Sequence, residues 1–370
     1  MSKVFYAKPD QTYRQHIEAV YAAWKQTVDA KYQLIERLSK KHNFSIERFL
    51  QGSLLTIVLH DIGKVIAPFQ EMMQYIREKR KFDYDKNYRH ELASFVFTAI
   101  AAKRLPNYIT DVPLEALAVV GHHKTLNSDL TSFERERQGE QPVFLPAGLE
   151  EALAIADELF QREGWSFPPL PTGLEKKDPY SSLTSLIWKG ILEKLLQREP
   201  SERIRDLYVL TKGILHYADW HGSGKAQINY SVKKSPDELL MYLKERCQQK
   251  GINFKGLRRF QEQVGNCSGH AIAIAPTGSG KTEASLLWAL KNSSEMGNAK
   301  IIYLLPTMVT ANKIWERLSQ FFGTENVGLT HSTANLLIMK ENGEDEADQW
   351  ETRRNYLFDQ TFINPITVGT

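Results

Sequence analysis

The sequence predicts a multi-domain chain: an all-α domain followed by a partial α/β domain. Three observations carry this. Apolar residues recur at spacings of three and four across residues 11–130 and again after 181, the period of amphipathic helices. After residue 255 the order becomes short apolar strand, loop and helix, twice over, as in a parallel sheet. At 370 residues the chain is long enough to bury two cores. Hydrophobic content of 42% and charged content of 25% are those of a globular protein, and a net charge of +3 permits a polyanionic partner without arguing for one. The two cysteines, Cys247 and Cys267, make no C-x-x-C pair, which argues against thiolate zinc and a disulfide framework and suits a reducing cytoplasm. "MSKVFYAKPDQTYRQH" lacks a signal-peptide profile, and no apolar run is long enough to span a membrane.

Helices are expected in "YRQHIEAVYAAWKQTVDAKYQLIERL", "NYRHELASFVFTAIAAKRL" and "PLEALAVVGHHKTL", the last with Pro113 near its start. The Pro- and Gly-rich stretch 162–180 reads as a loop. Helices resume at "SSLTSLIWKGILEKLLQ" and "IRDLYVLTKGILHYADW", and "HGSGKAQINYSVKKSPDE" reads as an inter-domain linker. Strands are expected in "HAIAIA", in "AKIIYLL" and in "FINPITVGT". The resulting division is 1–222 for the helical domain, 223–254 for the linker and 255–370 for the partial α/β domain.

The stretch "LLTIVLHDIGKVIAPFQ" poses the chemical question. Leu54 to Leu59 are almost all apolar, yet His60 and Asp61 follow side by side, and Lys64 comes one turn later. Ionisable groups at the end of a core helix are costly to bury unless something satisfies them. A neutral imidazole and a carboxylate both coordinate divalent metal ions. Further donors lie on apolar faces elsewhere: His16 with Val20 and Ala23, His90 with Ala93, Ser94 and Phe97, His122 and His123 after Val119 and Val120, and Asp219 on the face of Leu215. The order H, HD, H, HH, D is spread over five expected helices.

That order resembles the HD-domain metal-dependent phosphohydrolases. More narrowly, "HDIGKVIAPFQ", "GHH" and "YADW" resemble the HD nuclease of the nuclease-helicase of type I CRISPR systems, over roughly residues 10–222. The resemblance implies two metal ions, one held by His16, His60, Asp61 and Asp219 and the other by Asp61, His90, His122 and His123, with Asp61 bridging. Such a pair activates water and stabilises the leaving oxygen of a phosphodiester. Mixed imidazole and carboxylate donors favour a transition metal such as Mn, Fe, Co or Ni over magnesium. Lys64 would hold a phosphate oxygen or orient Asp61. The basic, aromatic run "REKRKFDYDKNYRH" at 77–90 suits a single-strand path, or else is a solvated loop.

"APTGSGKT" at 275–282 is a Walker A variant, with Ala275 where the general pattern has Gly. Thr277, Gly278, Ser279 and Gly280 would bring backbone N–H groups to the phosphates, Lys281 would reach the β and γ phosphates, and Thr282 would ligate magnesium. The surroundings resemble a superfamily-two helicase, so the second part reads as part of a RecA-like lobe. Gln261 matches the adenine-reading glutamine, and Pro306, Thr307 and Arg317 match the first DNA-contacting motif. "HSTA" at 331 and "PITVGT" at 365–370 fit the same nuclease-helicase. The letters "DEAD" at 345–348 are a decoy, since no apolar strand precedes them, and "GSGK" at 222–225 is another. The sequence is therefore expected to stop before the acids that hold magnesium and before the second lobe, and ATP hydrolysis is expected to be absent.

The leading expectation is a metal-dependent single-stranded DNA endonuclease of type I CRISPR interference with a partial ATP-dependent DNA helicase lobe. Its partners would be single-stranded DNA and the guide-RNA surveillance complex, in the cytoplasm and with no membrane. The alternative is an HD phosphohydrolase acting on nucleotides or cyclic nucleotides. A third reading, a non-enzymatic fragment that only binds protein, would show no bound metal.

Overall fold

The computed structural model describes residues 4–81, 89–106, 113–123, 143–176, 201–224, 230–296, 299–334, 362 and 364–370. The expected helix at 181–197, the "DEAD" letters and residues 82–88 of the basic run lie outside the described residues. The chain forms two compact units, Met1–Ala226 and Gln227–Thr370.

The first unit opens on a small antiparallel hairpin, β1 (Tyr6–Lys8) and β2 (Gln11–Thr12). The first long helix, α1 (Tyr13–His42), starts at a capping box: Thr12 Oγ1 accepts from the Gln15 amide at 3.2 Å, and Gln15 Oε1 accepts from the Thr12 amide at 3.0 Å. It ends at Asn43 in the left-handed region. Then come α2 (Ile46–Leu59), a 3-10 turn (Ile62–Val65), α3 (Ala67–Arg77), α4 (His90–Arg104) and α5 (Leu114–Val120). The last two helices of this unit are α6 (Pro146–Arg162) and α7 (Glu202–Gly224). One core holds them together, with Tyr13, Phe95, Phe97 and Phe160 among its fully buried side chains.

The second unit contains α8 (Pro236–Gln249), α9 (Arg259–Gly265), α10 (Lys281–Met296), β3 (Ile301–Leu304), α11 (Met308–Phe322), β4 (Val327–Thr330) and β5 (Ile366–Gly369). The three strands form a parallel sheet with β5 between β3 and β4, and Ile366 is in register with both Ile301 and Val327.

The structure differs from the sequence reading at several points. Helical periodicity gave no sign of the hairpin, and nothing in the reading placed α6. The stretch read as a linker contains α8, whose Leu239 is buried in the second core, while α7 runs through Gly222 to Gly224. "HAIAIA" pairs with no strand among the described residues, and Ile272 and Ile274 are almost fully exposed.

Candidate metal centre and nucleotide loop

Five helices bring the donors together, though not all from within helical turns. His16 lies in the second turn of α1 and Asp219 lies near the end of α7. His90 is the first residue of α4. His60 caps the C-terminus of α2, Asp61 begins the turn after it, and His122 and His123 follow the end of α5. Close approaches fix these placements. A Cβ on Gly63 would lie 2.0 Å from the His90 carbonyl oxygen, so only glycine lets the turn carrying Asp61 touch the start of α4. The Gly63 amide donates to Ser94 Oγ at 2.9 Å, one turn along α4 from His90. A Cβ on Gly222 would lie 2.5 Å from the Val20 amide nitrogen, so α7 rests on α1 just where Asp219 meets His16.

The two oxygens of Asp61 face different partners. Oδ2 is 2.8 Å from His16 Nε2 and 3.2 Å from His60 Nε2. Oδ1 is 3.1 Å from His90 Nε2 and 3.8 Å from His122 Nε2. Asp219 Oδ1 lies 3.6 Å from the Nε2 atoms of both His16 and His60. His123 joins His90, His122 and Asp61 in a group whose donor atoms lie within 4.8 Å of one another, with part of its surface exposed.

These atoms converge on one another, with the Lys64 ammonium beside them. His16 Nε2, His60 Nε2, His90 Nε2, His122 Nε2 and both Asp61 oxygens are buried, and none makes a well-aligned hydrogen bond, although Lys64 forms an ion pair with Asp61 Oδ2. Buried polar groups are normally satisfied. Two donors sharing an ion at about 2.1 Å stand roughly 3.0–3.4 Å apart, which the observed separations bracket. The far nitrogens are set for the same purpose: His60 Nδ1 donates to the Ile57 carbonyl at 2.8 Å and His122 Nδ1 to the Val119 carbonyl at 2.5 Å, which leaves each Nε2 lone pair facing the centre. The residues fit a pair of divalent cations.

The electrostatics agree. Burial alone would raise the pKa of Asp61, but His60, Lys64 and His16 hold it well below the carboxylate range. Burial similarly opposes ionisation of Asp219, and His60 brings its pKa well down. Burial depresses His16, His122 and His123, and neighbouring imidazoles push His122 and His123 lower still, so these rings are neutral and free to ligate at pH 7. His60 is the exception: burial opposes its charge, yet Asp61 and Asp219 raise it to about 10. The carboxylates that attract a proton there would attract a divalent cation to the same nitrogen. Lys64 is buried, not on the surface, and its ammonium sits 2.7 Å from Asp61 Oδ2.

Sequence reasoning gave no role to Gly63, placed Ser94 only on the face of His90, and singled out Gln70 only within the family resemblance. Gln70 Oε1 accepts from the Tyr6 amide at 3.0 Å, while its Nε2 donates to the carbonyls of Tyr6 at 2.9 Å and Lys64 at 2.8 Å. It joins the hairpin to the turn that carries Lys64. Its signal in the sequence was the resemblance carried by "HDIGKVIAPFQ".

In the second unit, Gly278 and Gly280 take left-handed φ values of 78° and 87°, the conformation a phosphate-cradling loop requires. Lys281 opens α10, and its ammonium donates to the carbonyls of Ala275 at 2.9 Å and Pro276 at 3.2 Å. Gln261 is buried and donates to the Gly280 carbonyl at 3.3 Å. Thr277 and Gly278 are exposed, Thr282 is half-buried, and Ser279 Oγ is buried without a partner. Thr307 caps α11 and Pro306 beside it is exposed, whereas Arg317 is half-buried and ion-paired with Glu283.

Comparison with known proteins agrees with this layout. Residues 258–364 match the DEAD/DEAH box helicase family. A protein of Methanocaldococcus jannaschii carrying the name CRISPR-associated nuclease/helicase Cas3 is 27% identical over 337 residues, covering 84% of this chain and 44% of that protein. The CRISPR-associated nuclease/helicase Cas3 of Methanothermobacter thermautotrophicus is 25% identical over 355 residues, covering 85% of this chain and 40% of that protein. The chain thus spans less than half the length of either relative. The CRISPR-associated endonuclease Cas3-HD of Pyrococcus furiosus is 30% identical over 129 residues, covering 34% of this chain and 52% of that protein. The Cas3 HD domain family matches residues 13–228, more than half of the sequence, and the chain belongs to that family.

Proposed function

We propose that the first unit, taken as residues 1–222, is a metal-dependent endonuclease for single-stranded DNA. It would hold two transition-metal ions of the Mn, Fe, Co or Ni class, one through His16, His60, Asp61 and Asp219 and one through Asp61, His90, His122 and His123. The observation that carries this reading is the divided carboxylate of Asp61, with one oxygen toward His16 and His60 and the other toward His90 and His122. A bound ion pair would supply activation of water and stabilisation of the leaving oxygen. The chain's own residues orient and shield. Asp61 bridges the two donor sets, and Lys64 fixes one of its oxygens and places a cation near the phosphate. The core helices keep bulk water from the donors.

Single-stranded DNA is supported by the beginning of the basic run. Arg77 lies over the Tyr6 ring at 3.7 Å and Arg80 over the Tyr75 ring at 4.3 Å, surfaces suited to phosphate and base stacking. The CRISPR names of the relatives support recruitment by a guide-RNA surveillance complex and coupling to an ATP-dependent helicase. The HD phosphohydrolase acting on nucleotides or cyclic nucleotides is not favoured, because a motor-like second part has no use for a small substrate.

The test uses circular single-stranded DNA, which has no free end, with Mn²⁺, Co²⁺ or Ni²⁺ and no ATP. The chain should cut the circles, duplex should resist, and Asp61→Ala should lose both cleavage and bound metal. Unchanged metal content in Asp61→Ala sinks the two-metal assignment. Faster hydrolysis of free nucleotides than of circles reverses the choice of substrate.

A further inference from the structure

Asp219 sits in the last turns of α7, which ends at Gly224. Helix ends fray, and their final carbonyls lack partners within the helix. A metal ligand in such a place needs to be held from outside. Ser223, one turn beyond Asp219, donates its hydroxyl to Asp219 Oδ1 at 3.1 Å. The Ser223 carbonyl accepts a hydrogen bond at 3.1 Å from the ammonium of Lys8, the last residue of β1. A cation at a helix C-terminus is favoured by the helix dipole as well as by that bond. Burial lowers the pKa of Lys8, and the carboxylates of Asp219 and Asp61 oppose that shift, so its charge stands within the field of the metal centre. The hairpin carrying Lys8 is anchored on its other side by the bonds from Gln70 to Tyr6 and Lys64.

We propose that Lys8 and Ser223 form a clamp that positions Asp219, making the N-terminal hairpin part of the half-centre built from His16, His60 and Asp219. The proposal rests on the two-metal reading above. Lys8 and Ser223 are positioning residues in it. They act on one ion and not the other, because Ser223 bonds Asp219 and none of the imidazoles around the second set. The clamp also gives the excluded "GSGK" letters a role: Gly222 seats α7 on α1, and Ser223 ties Asp219 to Lys8.

The test is titration of metal-free protein with Co²⁺, followed by calorimetry and by the visible absorption of bound cobalt. Two backgrounds separate the halves: His122→Ala weakens the second set, and His16→Ala weakens the first. In His122→Ala, adding Lys8→Met or Ser223→Ala should weaken Co²⁺ binding about 10-fold, the lower end of what outer-shell partners contribute. In His16→Ala, the same additions should leave the affinity unchanged. Lys8→Arg, which keeps the charge and a donor, should restore most of the loss. Ser223→Ala deletes one hydroxyl and keeps the test valid if Lys8→Met fails to fold. Equal weakening in both backgrounds would mark a merely structural role, and no weakening in either would remove the clamp; each overturns the proposal. Wild type that binds two Co²⁺ while the clamp variants match it refutes the clamp alone, whereas wild type that binds none refutes the two-metal reading and the clamp with it.

Discussion

Gly63 shows how little room the centre leaves. With its missing Cβ only 2.0 Å from the His90 carbonyl oxygen, any side chain must drive the Asp61 turn away from α4. Backbone cannot yield as a flexible side chain does, so Gly63→Ala should destabilise the first unit by about 1–3 kcal/mol, the usual range for overpacking. It should also reduce metal content, because the displacement separates Asp61 Oδ1 from His90. Denaturant midpoints and elemental analysis of the variant check both effects, and a fully loaded variant of wild-type stability would show that the turn can shift. The donors themselves were legible in the sequence, since histidine and aspartate on apolar faces stand out against a helical pattern. Their grouping around the two oxygens of Asp61 came only from the family resemblance, because it depends on contacts between helices far apart in the chain. The contacts of Gly63, Ser94, Gln70 and Lys8 were invisible for the same reason: each acts on a residue that no local pattern connects to it.

At the scale of elements, α7 joins the site to the stability of the first unit. Its His216 is half-buried and stacks on Trp220 with ring centroids 6.0 Å apart, and its Nε2 is buried without a partner. Burial, with Lys212 adding repulsion, brings its pKa to about 4, against 6.5 for an unperturbed histidine. The unfolded chain therefore takes up this proton more readily than the folded one. The contribution of His216 to stability is intact above pH 6.5 and is lost as the pH drops from there toward 4. His216→Phe, which keeps an aromatic ring beside Trp220, should lose less stability than wild type between pH 7.5 and 5, read from urea midpoints at each pH. Parallel losses in the two proteins would show that other groups carry the acid sensitivity. Long elements such as α1 and α7 were readable from periodicity. The two- and three-residue strands of the hairpin were too short to show alternation, and "HAIAIA" alternates like a strand but gains no pairing among the described residues. Apolar alternation records a capacity for burial, and a neighbour is needed to realise it.

At the scale of the whole molecule, the two units bury separate cores, one running from Phe5 to Ala218 and the other from Leu239 to Val368. If the proposed cutting site and the nucleotide loop act from these separate cores, cleavage of circular DNA should be indifferent to ATP. Nucleotide binding itself should be weak. The loop has the left-handed glycines and the helix start that phosphates require, but Lys281 spends its donors on the carbonyls of Ala275 and Pro276. The segment before the loop leaves Ile272 and Ile274 exposed and pairs with no strand among the described residues. Phosphoryl transfer depends on positioning and charge stabilisation, and an arginine finger alone contributes about 10³–10⁵ in rate. Arg317 is not free for such a role, being paired with Glu283. Arg258 donates to the Gly278 carbonyl at 2.7 Å, so the cations at the loop are held by its own carbonyls, and the loop should bind ATP without turning it over. The measurement is a DNA-stimulated ATPase assay on the 370-residue chain, with Lys281→Ala as control. Hydrolysis by the chain that disappears in Lys281→Ala would show a complete ATPase, and the acids at 345–348 would then have to be restored as magnesium ligands.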